Sequence, residues 1–335
     1  KLYKMKTILI AGCTGFIGQN LIKKLIDDNI IIGIDNLYSS SLKSIDSYKE
    51  HKNFSFINTS ITHLPPIKPN IDVIYNLACP ASPPIYQKDP IFTLDTNYIG
   101  TKNMLELAKN KSAVLIQAST SEVYGDPLVH PQKENYFGNV NPIGVRSCYD
   151  EGKRVAETLC YEYRKIYNVN TRIIRIFNTY GPGMMHNDGR VISNFIVNTI
   201  MGKSLIIYGN DNKTRSFCYI DDMITALVKV MEIDFDSPIN LGNDTEISLI
   251  NLAKLIIDKY RIKCAIGKRG IGNKKREGDK ITPKGKFKIQ TILYRKDRIS
   301  PFRSKITKLP IAKNMGWCDD PKSKKYNKLI KLPFK

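Results

Sequence analysis

Short apolar runs at 6–11, 30–35, around 54–57, 72–77, 113–118 and 171–177 alternate with stretches of helical periodicity at 16–28, 91–109 and 149–167. The pattern from Met5 to about Tyr180 therefore predicts an α/β fold, a parallel sheet with helices on both faces. The segment 184–262 reads differently, with many turns, short strands at 205–209 and 217–220, and helices at 222–232 and 248–259. It is expected to form a smaller lobe over a substrate. In open α/β sheets ligands lie beyond the carboxyl ends of the strands, which directs attention to the residues after each run.

The first such junction is the most informative. The strand 6–11 runs into Gly12, Gly15 and Gly18 and then into a helix. Gly12 permits a tight turn, Gly15 a close approach of a pyrophosphate, and Gly18 close packing of helix on strand. Phe16 and Ile17 open the helix, whose free N–H groups and positive dipole end face the phosphates. The first gap is one residue longer than in the usual dinucleotide fingerprint. The next strand ends in Asp35 and Asn36, where an acid binds the adenosine ribose, and a carboxylate there favours NAD over NADP because it repels a 2′-phosphate. The expectation is a doubly wound (Rossmann) NAD-binding domain.

Charge then divides the chain. Of its 52 Lys+Arg and 31 Asp+Glu, residues 263–335 hold 23 and 5, a net +18, leaving +3 for the rest. We therefore expect two parts, 5–262 and a basic 263–335. No apolar stretch reaches the roughly 18 to 20 residues of a membrane span, no signal peptide is evident, and the seven cysteines form no C-x-x-C pair. The expectations are a cytoplasmic protein starting at Met5, with reduced thiols, no metal site and no nucleic-acid partner. For the basic segment, an appendage that binds an anionic polymer stands as an alternative.

Two stretches carry candidate chemistry. Thr120, Ser121 and Glu122 follow a strand end, and Tyr149 and Lys153 lie four apart at the start of a helix. That spacing puts phenol and ammonium on one face, where the cation is expected to lower the phenol pKa. A Thr120 hydroxyl completes an acid/base unit beside a nicotinamide.

With these residues in place, the chain from about 6 to 260 resembles the extended short-chain dehydrogenases/reductases of the nucleotide-sugar type, and within them the UDP-glucuronate decarboxylases. The resemblance rests on Leu77 to Pro83, Thr120 to Asp126, Asn141 to Gly144, Arg146 to Arg154, Arg175 to Pro182, Asp188 to Phe195 and Thr214 to Phe217. Ser121-Glu122 matches the decarboxylase pattern, where the 4,6-dehydratases carry Asp-Glu. The resemblance implies Tyr149 as base, helped by Lys153, with NAD oxidising C4 of a UDP-sugar and later restoring it. Loss of CO₂ from the 4-keto acid follows, with Ser121 and Glu122 managing the C5 proton. It implies Pro80, Asn178, Asn194 and Arg215 at the substrate, and Ala78 and Lys102 at the cofactor. Ser60 stands where relatives place an adenine-binding Asp. It also implies a homodimer through helices 91–109 and 149–167, whose apolar faces are equally explained by packing on the sheet.

Nothing after Tyr260 matches the family's arginine-containing closing segment, so the substrate lobe reads as incomplete. Residues 264–335 instead resemble the opening part of a YkuD-type L,D-transpeptidase domain without its catalytic motif, as in a fusion. A 4-epimerase or 4,6-dehydratase, or a protein that binds NAD or a nucleotide sugar without turnover, remain alternatives.

Overall fold

The computed structural model describes residues 5–207 and 213–260, together with 271–272, 282–283, 291–294, 307–312, 315–317, 324 and 329–331. The chain divides into two compact units, Lys1–Arg261 and Ile262–Lys335.

The first unit is built on six strands that the apolar runs specify, β1 (Thr7–Ala11), β2 (Ile30–Asp35), β3 (Phe54–Asn58), β4 (Val73–Asn76), β5 (Val114–Thr120) and β6 (Thr171–Ile176). Two-residue β7 (Thr179–Tyr180) and β9 (Cys218–Tyr219) pair with each other, β8 (Thr214–Ser216) pairs with β11 (Glu246–Ser248), and β10 (Ile239–Leu241) joins the main sheet. The sheet order is β10-β6-β5-β4-β1-β2-β3 with every pairing parallel. Strand order reverses between β1 and β4, and a doubly wound sheet offers its ligand crevice at that point.

The helices are α1 (Phe16–Leu25), α2 (Pro83–Tyr86), α3 (Pro90–Asp95), α4 (Thr101–Lys111), α5 (Ser147–Tyr167), α6 (Val191–Ile200), α7 (Ile220–Val230) and α8 (Leu249–Tyr260). One face of the sheet buries Ile8, Ile10 and Tyr75 with Leu21 of α1 and Leu227 of α7. The other buries Leu9, Ile74 and Leu115 with Met104 of α4 and Cys160 of α5. The 21-residue α5 carries Asp150 in its first turn and Arg164 and Lys165 in its last, charges that suit its dipole, and stops at Asn168 in the left-handed region, φ 54°.

Several expectations are modified. The helix read across 91–109 is α3 and α4 joined by a π-helical turn, Thr96–Gly100, where a Cβ on Gly100 would lie 2.5 Å from the Ile61 side chain. Such turns recur at functional sites. The strand read at 205–209 is irregular over 205–207, where Leu205 and Ile207 pack on the small core of α6 and α8; 208–209 lie outside the described residues. Helix α6 and strand β10 were not anticipated from the sequence.

The second unit, where described, contains paired strands: Ile271–Gly272 with Thr282–Pro283, Thr291–Tyr294 with Thr307–Pro310, and Met315–Trp317 with Leu329–Lys331. Most of the segment expected to be transpeptidase-like lies outside the described residues. Among those described, no helix is long and apolar enough to cross a membrane.

Candidate active site

The glycine turn is fixed by backbone contacts. Gly12 has φ +79°, and its amide donates to the Ile34 carbonyl at 2.8 Å. A Cβ on Gly12 would stand 2.9 Å from the Leu77 and Ala78 backbone, and one on Gly18 only 2.2 Å from the Gly12 carbonyl oxygen. Gly15 is less crowded, its nearest atom being that same oxygen at 3.2 Å. Phe16 and Ile17 begin α1 immediately after this turn.

Gly12, Gly15, Asp35, Asn36, Ser60, Ala78 and Pro80 line one cleft, together with Tyr38 and Phe92. Asp35 is held from three sides, accepting from Thr14 N at 3.1 Å, Leu37 N at 2.8 Å and Ser40 Oγ at 3.5 Å. Asn36 Oδ1 accepts from Tyr38 N at 3.1 Å. Ser60 caps the short turn Ile61–His63, its Oγ accepting from Thr62 N at 3.2 Å. Lys102, expected at the cofactor, is exposed on the first turn of α4 and does not line this cleft. Pro80, expected at the substrate, lines the cofactor cleft instead.

Beyond β5 the chain makes a 3-10 turn, Ser121–Tyr124, capped by Thr120, whose Oγ1 accepts from Glu122 N at 3.3 Å. The Thr120 side chain also acts on the Tyr149 phenol, favouring its ionised form. Tyr149 is 7% exposed and its ring stacks on Tyr86 of α2, centroids 5.0 Å apart and planes 7° from parallel. One turn along α5, Lys153 is 3% exposed. Its Nζ donates to the Ala118 carbonyl at 2.8 Å, favours the thiolate form of Cys79 by its charge, and stands 5.9 Å from the Tyr149 ring centroid. Cys79 Sγ also accepts from Asn97 Nδ2 at 3.2 Å.

The expected lowering of the Tyr149 phenol is not found. Burial pushes its pKa up, the nearby Cys79 and Glu122 add to the rise, and the Thr120 side chain and the Arg190 charge only offset part of it. The Lys153 ammonium donates to the Ala118 carbonyl rather than to the phenol oxygen. The Glu122 carboxylate, expected to face a sugar ring, is held by the Arg146 guanidinium. Ser121 is half-buried beside it.

A second pocket is lined by Asn178, Tyr180, Arg190, Arg215 and Phe217. Arg215 Nη1 donates to the Thr214 carbonyl at 2.8 Å. Asn194 does not line this pocket; its Nδ2 donates to the Gly189 carbonyl at 3.0 Å and so fixes the turn that enters α6. Arg190 was not singled out from the sequence, although it falls within the run Asp188 to Phe195. Its guanidinium grips the Asp188 carboxylate with two nitrogens, lines the second pocket, and favours the Tyr149 phenolate. Arg190 thus links the pocket to the buried tyrosine. Arg146, Asp150, Tyr86 and Cys79 were likewise given no individual role by spacing.

A family model for GDP-mannose 4,6 dehydratase matches residues 9–325, a span that includes most of the basic segment. The chain is 51% identical over 252 residues to UDP-glucuronic acid decarboxylase 1 of Xenopus tropicalis, covering 75% of this chain and 59% of that protein. It is 50% identical over 251 residues to UDP-glucuronic acid decarboxylase 5 of Arabidopsis thaliana, covering 74% and 73%. Among solved structures, UDP-N-acetylglucosamine 4-epimerase from Methanobrevibacter ruminantium M1, in complex with UDP-N-acetylmuramic acid, superposes with a TM-score of 0.71 at 28% identity, over 76% of this chain and 82% of that one. UDP-glucuronic acid 4-epimerase from Bacillus cereus, in complex with UDP-glucuronic acid and NAD, gives 0.65 at 27%, over 75% and 82%.

Proposed function

The chain belongs to the extended short-chain dehydrogenases/reductases of nucleotide-sugar metabolism, in the branch of the UDP-glucuronic acid decarboxylases, and on that premise we propose that it converts UDP-glucuronate to UDP-xylose and CO₂. The observation that carries this reading is a buried Tyr149 whose ionised form Thr120 favours, one helical turn from Lys153, with a glycine-lined cleft and an arginine-lined pocket in the same unit.

NAD is the cofactor, and the residues present fit it. The Gly12 and Gly18 backbones lie too close to their neighbours for a side chain, and Asp35 stands at the ribose end of the cleft with its carboxylate pre-oriented. When bound, NAD supplies the hydride acceptor, and later the donor, at sugar C4. Tyr149 takes the C4 hydroxyl proton, with the Thr120 side chain and the Arg190 charge favouring the phenolate. The resulting 4-keto acid loses its carboxylate as CO₂, the bonding pair passing into the enolate. Glu122, with Ser121, returns a proton to C5, and Tyr149 returns one to the C4 oxygen. Asn178 and Arg215 hold the diphosphate, arginine being suited by its planar fork, while Asn194 supports them by fixing the turn before α6. Lys102, exposed on α4, acts only at the edge of the cofactor. We further propose a homodimer through α3, α4 and α5, which expose Ile91, Leu94, Tyr161 and Ile166.

The test is to incubate the protein with UDP-glucuronate and NAD⁺ and follow the nucleotide sugar by mass spectrometry. A UDP-pentose that disappears with Tyr149→Phe establishes the reading. A UDP-hexuronate epimer with no loss of CO₂ places the chain with the 4-epimerases that it superposes on.

A further inference from the structure

The N-terminal turn of α5 holds an arginine between two carboxylates. Arg146, the residue before the helix, grips Glu122 of the 3-10 turn and lies 3.8 Å from Asp150 Oδ1, one helical turn on. Its carbonyl accepts the Tyr149 and Asp150 amides at 2.9 and 3.0 Å, so the backbone that aims its side chain also starts the helix bearing Tyr149. The two acids differ in setting. Glu122 is about a third exposed, whereas Asp150 is nearly enclosed and its Oδ1 is buried without a hydrogen-bond partner. The Tyr86 hydroxyl, on the ring stacked against Tyr149, is also buried without one.

The groups facing Asp150 are Arg146, Glu122 of the 3-10 turn, Glu151 of its own helix and Asp126 of the following loop, with Tyr86 of α2 and Cys148 also within its field. Burial pushes its carboxyl up, Arg146 pulls it down, Glu122, Glu151 and Asp126 push it up, and the net value is about 6. Burial lowers the Arg146 pKa, but Glu122 and Asp150 outweigh that, and the net shift is upward. One guanidinium thus serves two acids, of which the enclosed one changes charge near neutrality.

Resting on the decarboxylase reading, we propose that Arg146 and Asp150 are positioning residues: Arg146 fixes the Glu122 carboxylate, and Asp150, by competing for the same guanidinium, sets how freely Glu122 turns toward C5 of the sugar. Ionised Asp150 shares Arg146 and loosens its hold on Glu122. Protonated Asp150 surrenders Arg146 to Glu122, and proton return to C5 slows. Both act through Glu122.

Two measurements on the full chain test this. In protein labelled with [¹³Cγ]aspartate, the Asp150 resonance is identified by its loss in Asp150→Asn. Its midpoint should rise in Arg146→Gln and fall in Glu122→Gln. In kinetics, Arg146→Gln should lower kcat by about 10- to 100-fold, the scale of a misplaced catalytic group, with KM nearly unchanged and partial recovery in Arg146→Lys. Asp150→Asn should abolish the rise in kcat through pH 6. An Asp150 midpoint that moves in neither variant overturns the proposal, as does an Asp150→Asn enzyme that keeps the wild-type pH profile. A wild-type chain that leaves UDP-glucuronate intact at every pH overturns the decarboxylase reading instead, and the Asp150 titration then decides the coupling by itself.

Discussion

The ammonium of Lys153 donates a 2.8 Å hydrogen bond to the Ala118 carbonyl, two residues before Thr120 on β5. The lysine therefore ties α5 to the strand that presents the site's hydroxyl, in addition to any part in proton transfer. Lys153→Met should lower turnover by about 10²- to 10⁴-fold, as for loss of an acid/base group. It should also cost about 1.5–3 kcal/mol in urea unfolding, the loss of a hydrogen bond from a charged donor, although Gln117 Nε2 still donates to that carbonyl at 3.3 Å. Unchanged stability in that variant would show that the tether to β5 is dispensable.

Asp150 predicts a pH dependence of folding. Its folded-state pKa, about 6, lies above its ordinary 3.8, so the group's contribution to stability is complete below pH 3.8 and is lost as pH rises through 6. Asp150→Asn removes that loss. Relative to wild type, the variant should gain about 1–2 kcal/mol between pH 4 and pH 7, a figure discounted for the solvent that reaches the site. Parallel unfolding curves at the two pH values measure it, and a constant difference between them would count against a perturbed Asp150.

Arg175 and Glu157 form a buried bidentate pair, with contacts of 3.0 and 2.8 Å. Ser119 also binds Glu157, and the same guanidinium reaches the Tyr124 hydroxyl and the Glu134 carbonyl, each at 2.9 Å. The network anchors both ends of the Ser121–Tyr124 turn. Glu157→Gln should cost about 3–5 kcal/mol, because it strands a buried guanidinium, while Glu157→Leu with Arg175→Met should recover much of that loss. Thermal unfolding of the three proteins distinguishes a mispaired charge from a general packing defect, which the double variant would not relieve.

The glycine turn separates two substitutions of equal size. An added methyl at Gly18 meets backbone atoms at 2.2 and 2.8 Å, which cannot move aside, whereas at Gly15 it meets one oxygen at 3.2 Å. Gly18→Ala should weaken NAD binding by about tenfold or more, in line with an overpacking cost of about 1–3 kcal/mol. Gly15→Ala should weaken it less. Calorimetric titration with NAD⁺ gives both values, and the reverse ranking would mean that the pyrophosphate, not the turn, sets the crowding.

The parallel sheet was legible because β1, β2 and β4 are largely apolar runs and β5 and β6 carry apolar cores at 114–116 and 173–174, and the glycine spacing marked the crevice between β1 and β4. Strand β10 was not legible. Its sequence, Ile239-Asn240-Leu241, is too short to display a period, and it is a strand because β6 offers it an edge. Helix α6 escaped because its sequence between turn-rich stretches is rich in β-branched residues and Asn and holds few strong helix formers. In the site, spacing placed Thr120, Tyr149 and Lys153 together. It could not show that burial would dominate the phenol, nor that Lys153 would donate to the Ala118 carbonyl. Pairings such as Arg146 with Glu122 span 24 residues and an irregular loop, where no local rule applies.

The late seventh strand bears on the order in which the chain is made. Residues 239–241 pair with Ile174–Ile176 of β6, and Asn240 binds Tyr124, Glu134 and Gln132, so the far rim of the sheet is sealed by residues translated more than sixty codons after β6 itself. Until they leave the ribosome, β6 is an unpaired parallel edge, the kind of template on which nascent chains stick to one another. Vectorial synthesis of this molecule therefore carries an exposed interval of fixed length, closed only when β10 docks.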